Sequence, residues 1–413
     1  MLHRRSVLLA ASGLALLAAA GLAAPASAAD QVVKIGIDAS LTGGDAQSAL
    51  LVKNGAILAI DQANAKHTVP GVKFEAMVLD DGTATAGQYD PAQGAINARK
   101  MVADHAVVAA VGPQMSGVGK AMAPILSWGD LATITPSSTN PDLTDPRFAQ
   151  QYRPAGKPIY FRTVATDNYQ GPNMANFFAE VLKVKSVYVL DDTGAYGEGL
   201  ANAFEAQAKK KGLKVLGHDK LDPKAADYSA VLTKIKQLNP DSLYYGGVMQ
   251  AGVKLVKQAY DILPHNMPKA GGDGLITPEL LTGAGYPANE GWYCTNASPH
   301  VTEDPAAQAW VKAYKAKFNV LPDDYAITAY DGTLVIIDAV KRVKESGKKV
   351  TRDAVRDAIQ TAKVKTLQGV VSFDANGDIQ DRVISVFQTH HDPKYPADDM
   401  IHQFKYVGVA PQS

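Results

Sequence analysis

The chain has 413 residues, and its 41 lysines and arginines are balanced by 41 aspartates and glutamates. Zero formal net charge gives no electrostatic ground for a nucleic acid or an anionic membrane surface as partner. The single cysteine, Cys294, excludes an internal disulfide, so a chain too long for one hydrophobic core is expected to form two domains held by packing alone.

Residues 1–28 read as a secretory leader. Arg4 and Arg5 form a positive start, residues 7–24 are apolar and rich in alanine and leucine, and Ala26-Ser27-Ala28 is a small-x-small cleavage site. A membrane anchor competes, because the apolar stretch is nearly long enough to span. The cleavage site and the weakly apolar alanines favour removal after Ala28 or Ala29, and His3-Arg4-Arg5-Ser6 leaves general secretion and twin-arginine export both open. The mature chain, about 385 residues, has no second apolar run of spanning length and is expected in the periplasm as a soluble protein.

From there strands and helices alternate. Strand patterns cover residues 32–37, 72–79, 106–111 and 131–134, with helical spacing at 49–65, from Pro91 and from Gly117. The alternation restarts with a strand at 159–162, a helix from Gly171, a strand at 186–190 and a helix from Gly197. Lys209-Lys210-Lys211 and Gly212 mark the end of that last helix. Further strands are read at 213–216 and 242–245, and further helices at 228–238 and 251–262. Such alternation predicts an α/β chain with two doubly wound parallel sheets. The last third differs, with helices at 305–318, 324–343 and 351–362 and no strands between them, which suggests that the chain returns to cover the first lobe. A hairpin of 370–373 with 383–388 around Asn376-Gly377 is expected to close it.

No nucleophile elbow, H-E-x-x-H, Walker A loop or cysteine pair is present, so neither an enzyme nor a metal or cofactor site is expected. Gly283 to Ala288 imitates a dinucleotide fingerprint but follows a helical pattern and contains Pro287. Asp374 to Asp378 has the composition of a calcium loop with glycine in the wrong place, and His390-His391 reads as a solvated pair. Cys294, in a predicted strand, reads as packing.

The chemistry gathers where strands empty into polar loops, since ligands of open α/β sheets bind at the carboxyl ends of the strands. The strand at 106–111 gives way to Gly112-Pro113-Gln114-Met115-Ser116-Gly117, and that at 131–134 to Thr135-Pro136-Ser137-Ser138-Thr139-Asn140-Pro141. Hydroxyls and free amides there suit a carboxylate, although Ser116 and Thr139 fit equally well as caps or turn residues. On the other lobe, Tyr196 follows Asp191-Asp192-Thr193-Gly194-Ala195, and Asp273 sits in Gly271-Gly272-Asp273-Gly274. A carboxylate and an aromatic face suit an ammonium, although each residue alone reads as a packing aromatic or a turn former.

Together these stretches carry a resemblance, along with Val33-Lys34-Ile35-Gly36, Asp80-Asp81, Tyr196-Gly197-Glu198-Gly199, Tyr244-Tyr245-Gly246-Gly247 and Asp331-Gly332. The chain resembles the substrate-binding proteins of branched-chain amino acid ABC transporters, with the type I periplasmic binding fold. The resemblance implies two lobes joined by a three-segment hinge, residues 29–166 plus 297–373 and residues 167–296 plus 374–413. It implies capture of a small aliphatic amino acid between them, delivery to an ABC permease and a monomer with no cofactor. The ligand carboxylate would meet Ser116, Ser138 and Thr139, and its amino group Asp273 under Tyr196. Gln47, Ser48, Val248 and Met249 would lie near its side chain. Relatives often carry Glu at the position of Asp273, and aromatics near Ser48 and Val248. These departures keep aromatic carboxylic acids, amides and urea open as ligands, and the same fold also serves ligand-sensing subunits.

Overall fold

The computed structural model describes residues 30–412, so the leader reading of residues 1–28 lies outside the described residues. Strand β1 (Gln31–Ala39), helix α1 (Ala46–Ala65) and strand β2 (Val72–Asp80) open the chain, followed by a two-residue hairpin, β3 (Gly82–Thr83) with β4 (Gln88–Tyr89). Helix α2 (Pro91–Ala103), β5 (Val107–Val111), α3 (Ser116–Trp128), β6 (Ala132–Thr135), the single turn α4 (Ala149–Tyr152) and β7 (Tyr160–Arg162) complete a five-stranded sheet. Its order is β2-β1-β5-β6-β7, and every pairing is parallel. β5 and β6 are buried along their whole length, as strands covered by helices on both faces must be.

The second sheet repeats the plan with α5 (Asp167–Glu180), β8 (Ser186–Asp191), α6 (Ala195–Lys210), β9 (Lys214–Lys220), α7 (Ser229–Leu238), β10 (Ser242–Gly246), α8 (Met249–Ile262), β11 (Lys269–Gly271) and β12 (Tyr293–Asn296). The chain then returns to the first sheet through α9 (Gln308–Phe318), α10 (Asp324–Glu345), α11 (Arg352–Gln360) and a small hairpin, β13 (Val364–Thr366) with β14 (Gly369–Val371). It finally crosses back to lay β15 (Ser385–Thr389), the turn α12 (Met400–Gln403) and β16 (Phe404–Val409) on the second sheet, whose order is β16-β15-β12-β11-β10-β8-β9. Cys294 is buried in β12.

The return helices are locked to the first sheet by specific contacts. α10 lies against α1 so closely that a Cβ on Gly55 would stand 2.1 Å from the carbonyl oxygen of Ala326. Tyr314 Oη donates to Leu51 O at 2.9 Å, and Tyr330 Oη donates to Gln62 Oε1 at 2.7 Å. At the far end, the Arg352 guanidinium donates to the carbonyls of Met101, Val102, Asp104, Val107 and Gly129, tying the ends of α2 and α3 to the start of β5. Among the described residues no helix is long and apolar enough to cross a membrane.

Two expectations are corrected. The predicted hairpin of 370–373 with 383–388 does not form: β14 pairs with β13, while β15 pairs with β12 and β16. The tight turn is instead at Leu367 and Gln368, whose amides donate to the buried carboxylate of Asp331 at 3.2 and 3.0 Å. Asn376-Gly377 does turn, closing only the isolated Phe373 and Ile379 bridge, and delivers Gly377 O to the amide of Arg162. Second, α5 starts at Asp167 and not at Gly171. Pro172 inside it removes only the bond that its own amide would give Asn168, early enough for the helix to continue.

Candidate functional site

The first wall of the cleft is the pair of loops after β5 and β6. Gly112 takes a φ of +112°, and a Cβ there would lie 2.3 Å from Asp38 O, so only glycine allows the chain to leave β5 this close to β1. Thr135 Oγ1 donates to Pro113 O at 2.7 Å and accepts from the amide of Ser138 at 2.9 Å, and Ser137 Oγ donates to Gln114 O at 2.9 Å. The two loops are therefore stitched into one surface. Behind it, the fully buried Arg162 donates to Ser138 O at 2.7 Å, Asn140 O at 3.2 Å and Thr144 Oγ1 at 2.7 Å, and pairs with Asp378 at 2.6 Å.

The second wall centres on Asp273, which is buried after β11. Tyr196 Oη donates to its Oδ1 at 2.5 Å, Gln170 Nε2 donates to the same oxygen at 2.9 Å, and the Tyr325 hydroxyl donates to Oδ2. Gln170 Oε1 accepts in turn from the amide of Asp273 at 3.1 Å and from Thr295 at 2.9 Å. Tyr325 arrives from the first turn of α10, which Asp323 caps by accepting from the amide of Ala326 at 2.7 Å. Burial pushes the Asp273 carboxyl above its ordinary range, and its three side-chain donors pull it back. Val248 is set by its amide, which donates to the buried Asp192 at 2.9 Å.

These walls enclose one cavity between them. Of the residues expected from sequence, Ser48, Ser116, Tyr196, Val248 and Asp273 line it together. Ser138 and Thr139 do not line it; both are buried behind Ser116, with Ser138 Oγ 3.3 Å from Ser116 Oγ and the Thr139 hydroxyl beside Asp167. Gln47 and Ser48 belong to the first turn of α1. The cavity also takes Asp45, Gln114, Asp323 and Tyr325, which the sequence did not single out. Asp323-Asp324 ahead of a long helical pattern is the one signal that marked such a helix start. Among the described residues no lysine or arginine lines the cavity, and no three His, Cys, Asp or Glu side chains group as for a metal.

The two halves are closed on each other. Asn140 Nδ2 donates to Ala195 O at 2.7 Å, Gln250 Nε2 donates to Ala86 O at 3.0 Å, and Glu279 Oε1 accepts the amides of Gln47 and Ser48 at 2.6 and 3.1 Å. A carboxylate from the second lobe thus sits at the N-terminus of a helix of the first, where the helix dipole favours it.

Two facing α/β sheets, crossed three times by the chain and closed over a mixed polar and apolar cavity, define a two-lobed binding protein of the type I periplasmic kind. The family model described as "Periplasmic binding protein" matches residues 32–391, and the chain belongs to that family. It is 33% identical to a Leu/Ile/Val-binding protein, BraC3, of Rhizobium johnstonii, over 88% of this chain and 93% of that one. It is 30% identical to a leucine-, isoleucine-, valine-, threonine- and alanine-binding protein of Pseudomonas aeruginosa, over 89% of this chain and 92% of that one. Among solved structures, a leucine-binding protein, LivK, of Thermotoga maritima superposes with a TM-score of 0.77 at 26% identity, covering 92% of this chain and 98% of that one.

Proposed function

We propose that the protein captures a small α-amino acid between its lobes in the periplasm and hands the closed complex to an ABC permease. The lobes are residues 29–166 plus 297–373 and residues 167–296 plus 374–413, and the leader is removed after Ala28. The ligand carboxylate takes the hydroxyl of Ser116 and the amides of the two stitched loops, and the ammonium takes Asp273 beneath Tyr196 and Tyr325. Val52, Val248 and Ile276 supply the apolar wall for an aliphatic side chain. The names of the Rhizobium and Pseudomonas relatives support an amino acid of the leucine, isoleucine and valine class. The protein acts as a monomer, without catalysis and without nucleic acid.

The observation that carries this reading is Asp273, a buried carboxylate held by two tyrosines, facing a hydroxyl-rich wall across one cavity. A carboxylic acid with no amino group would leave Asp273 without a cation in a cavity that has no lysine or arginine of its own. A ligand shifts a lobe closure of this kind only through contacts that it makes in the closed state. Calorimetric titration of the mature protein, refolded to strip bound ligand, tests it. Binding of L-leucine or L-valine supports the reading, whereas binding of benzoate alone refutes it.

A further inference from the structure

The cleft has a second polar end, away from Asp273, at the first turn of α1. Asp45 and Gln114 line the cavity there, 1% and 7% exposed, and neither Asp45 Oδ2 nor Gln114 Oε1 has a hydrogen-bond partner. Glu279, 9% exposed and latched onto the amides of Gln47 and Ser48 by one oxygen, leaves its other oxygen, Oε2, without a partner. The orientation of Gln114 follows from its neighbours. Ser48 Oγ gives its proton to Asp45 O at 2.9 Å, so it can only accept from Gln114, whose Nε2 lies 3.1 Å away. That arrangement leaves the amide oxygen as the free atom.

With Asp45 ionised all three free atoms are acceptors, and a buried acceptor with no donor is costly. We infer that this end of the cleft receives a hydrogen-bond donor on the ligand side chain, so that the preferred amino acid has an aliphatic stem ending in a hydroxyl, amide or ammonium. Val52 and Val248 pack the stem, Asp45 and Gln114, which line the cavity, take the donor, and Glu279 acts on this end through its charge beside Asp45. The electrostatics agree: burial first, and then the Glu279 charge, push the Asp45 carboxyl up to about 7, and burial raises Glu279, a strain that a donor or cation at this point relieves. The inference rests on the amino acid reading and departs from its leucine, isoleucine and valine side chains.

Isosteric pairs isolate the effect, because threonine and valine, or asparagine and leucine, differ little in shape. Calorimetric titration of the mature, ligand-stripped protein is expected to show L-threonine binding at least about tenfold tighter than L-valine, and L-asparagine at least about tenfold tighter than L-leucine. Glu279→Gln keeps an oxygen for the two amides while turning its free acceptor into a donor, and Asp45→Leu removes a second of the three. Each is expected to bring both ratios to about one or below. If valine and leucine bind the wild type as well as their polar partners, or if both variants leave the ratios unmoved, the inference is overturned while the amino acid reading stands. If none of the four binds, that reading falls and this inference with it.

Discussion

Asp273→Asn separates an ammonium site from a merely structural carboxylate. Asparagine keeps an oxygen for Tyr196 and Gln170, and its amide nitrogen can donate to Tyr325 once that hydroxyl turns its proton away. The change also removes a buried charge whose own carboxyl is already pushed up by desolvation, so stability without ligand is expected within about 1 kcal/mol of wild type. Affinity behaves differently. Removing one member of a buried, hydrogen-bonded charge pair costs about 2–5 kcal/mol, which at 1.4 kcal/mol per decade is roughly 30- to 3,000-fold in Kd. Calorimetric titration with L-leucine, paired with thermal unfolding of both proteins without ligand, reads the two effects independently. An affinity within threefold of wild type, at matched stability, would refute the assignment of Asp273 to the ligand.

Other consequences follow from the same geometry. Ser116→Ala is expected to weaken amino acid binding by about tenfold, since it deletes one hydroxyl contact to the carboxylate and also the acceptor for the amide of Asn140; titration checks this. Arg162→Met strands Ser138 O, Asn140 O and Asp378 behind the binding loops and should cost about 3–5 kcal/mol of stability, measured by denaturant unfolding. For pH, Asp45 is held up to about 7 in the folded chain by burial and by Glu279, against an ordinary 3.8. Between these values the folded state keeps a proton that the unfolded state has lost, so this group's contribution is full at acid pH and fades as pH rises through about 7. The slope is roughly 1.4 kcal/mol per pH unit. Asp45→Asn should therefore gain stability relative to wild type as pH rises from about 5 to 8, and a difference independent of pH contradicts the burial argument.

The alternation of strands and helices was legible because fully buried parallel strands are continuous apolar runs, as β5 and β6 are. The late hairpin was misread because Asn376-Gly377 is a strong turn signal, and nothing local reveals that Asp331, some 36 residues earlier, pins a different turn at Leu367. β16 escaped notice because it is an edge strand with one buried residue before a run of exposed ones, which leaves no alternation to read. In the site, Tyr196 and Asp273 were visible as unusual residues in strand-end loops. Gln170 was hidden by Gly171-Pro172, which looks like a helix start and is interior to α5. Tyr325 sits in a helix that reaches the second lobe only through the return crossing, and Asp45 and Glu279 meet only when the lobes close. Such contacts are properties of the tertiary arrangement, and no window of sequence contains them.

The most direct test of the account is a crystal structure of the mature protein grown with L-leucine. The account predicts the amino acid between the lobes, its amino group within hydrogen-bond distance of Asp273 and its carboxylate on Ser116 and the neighbouring loop amides. A ligand bound outside the cleft, or one with its amino group turned away from Asp273, would contradict it.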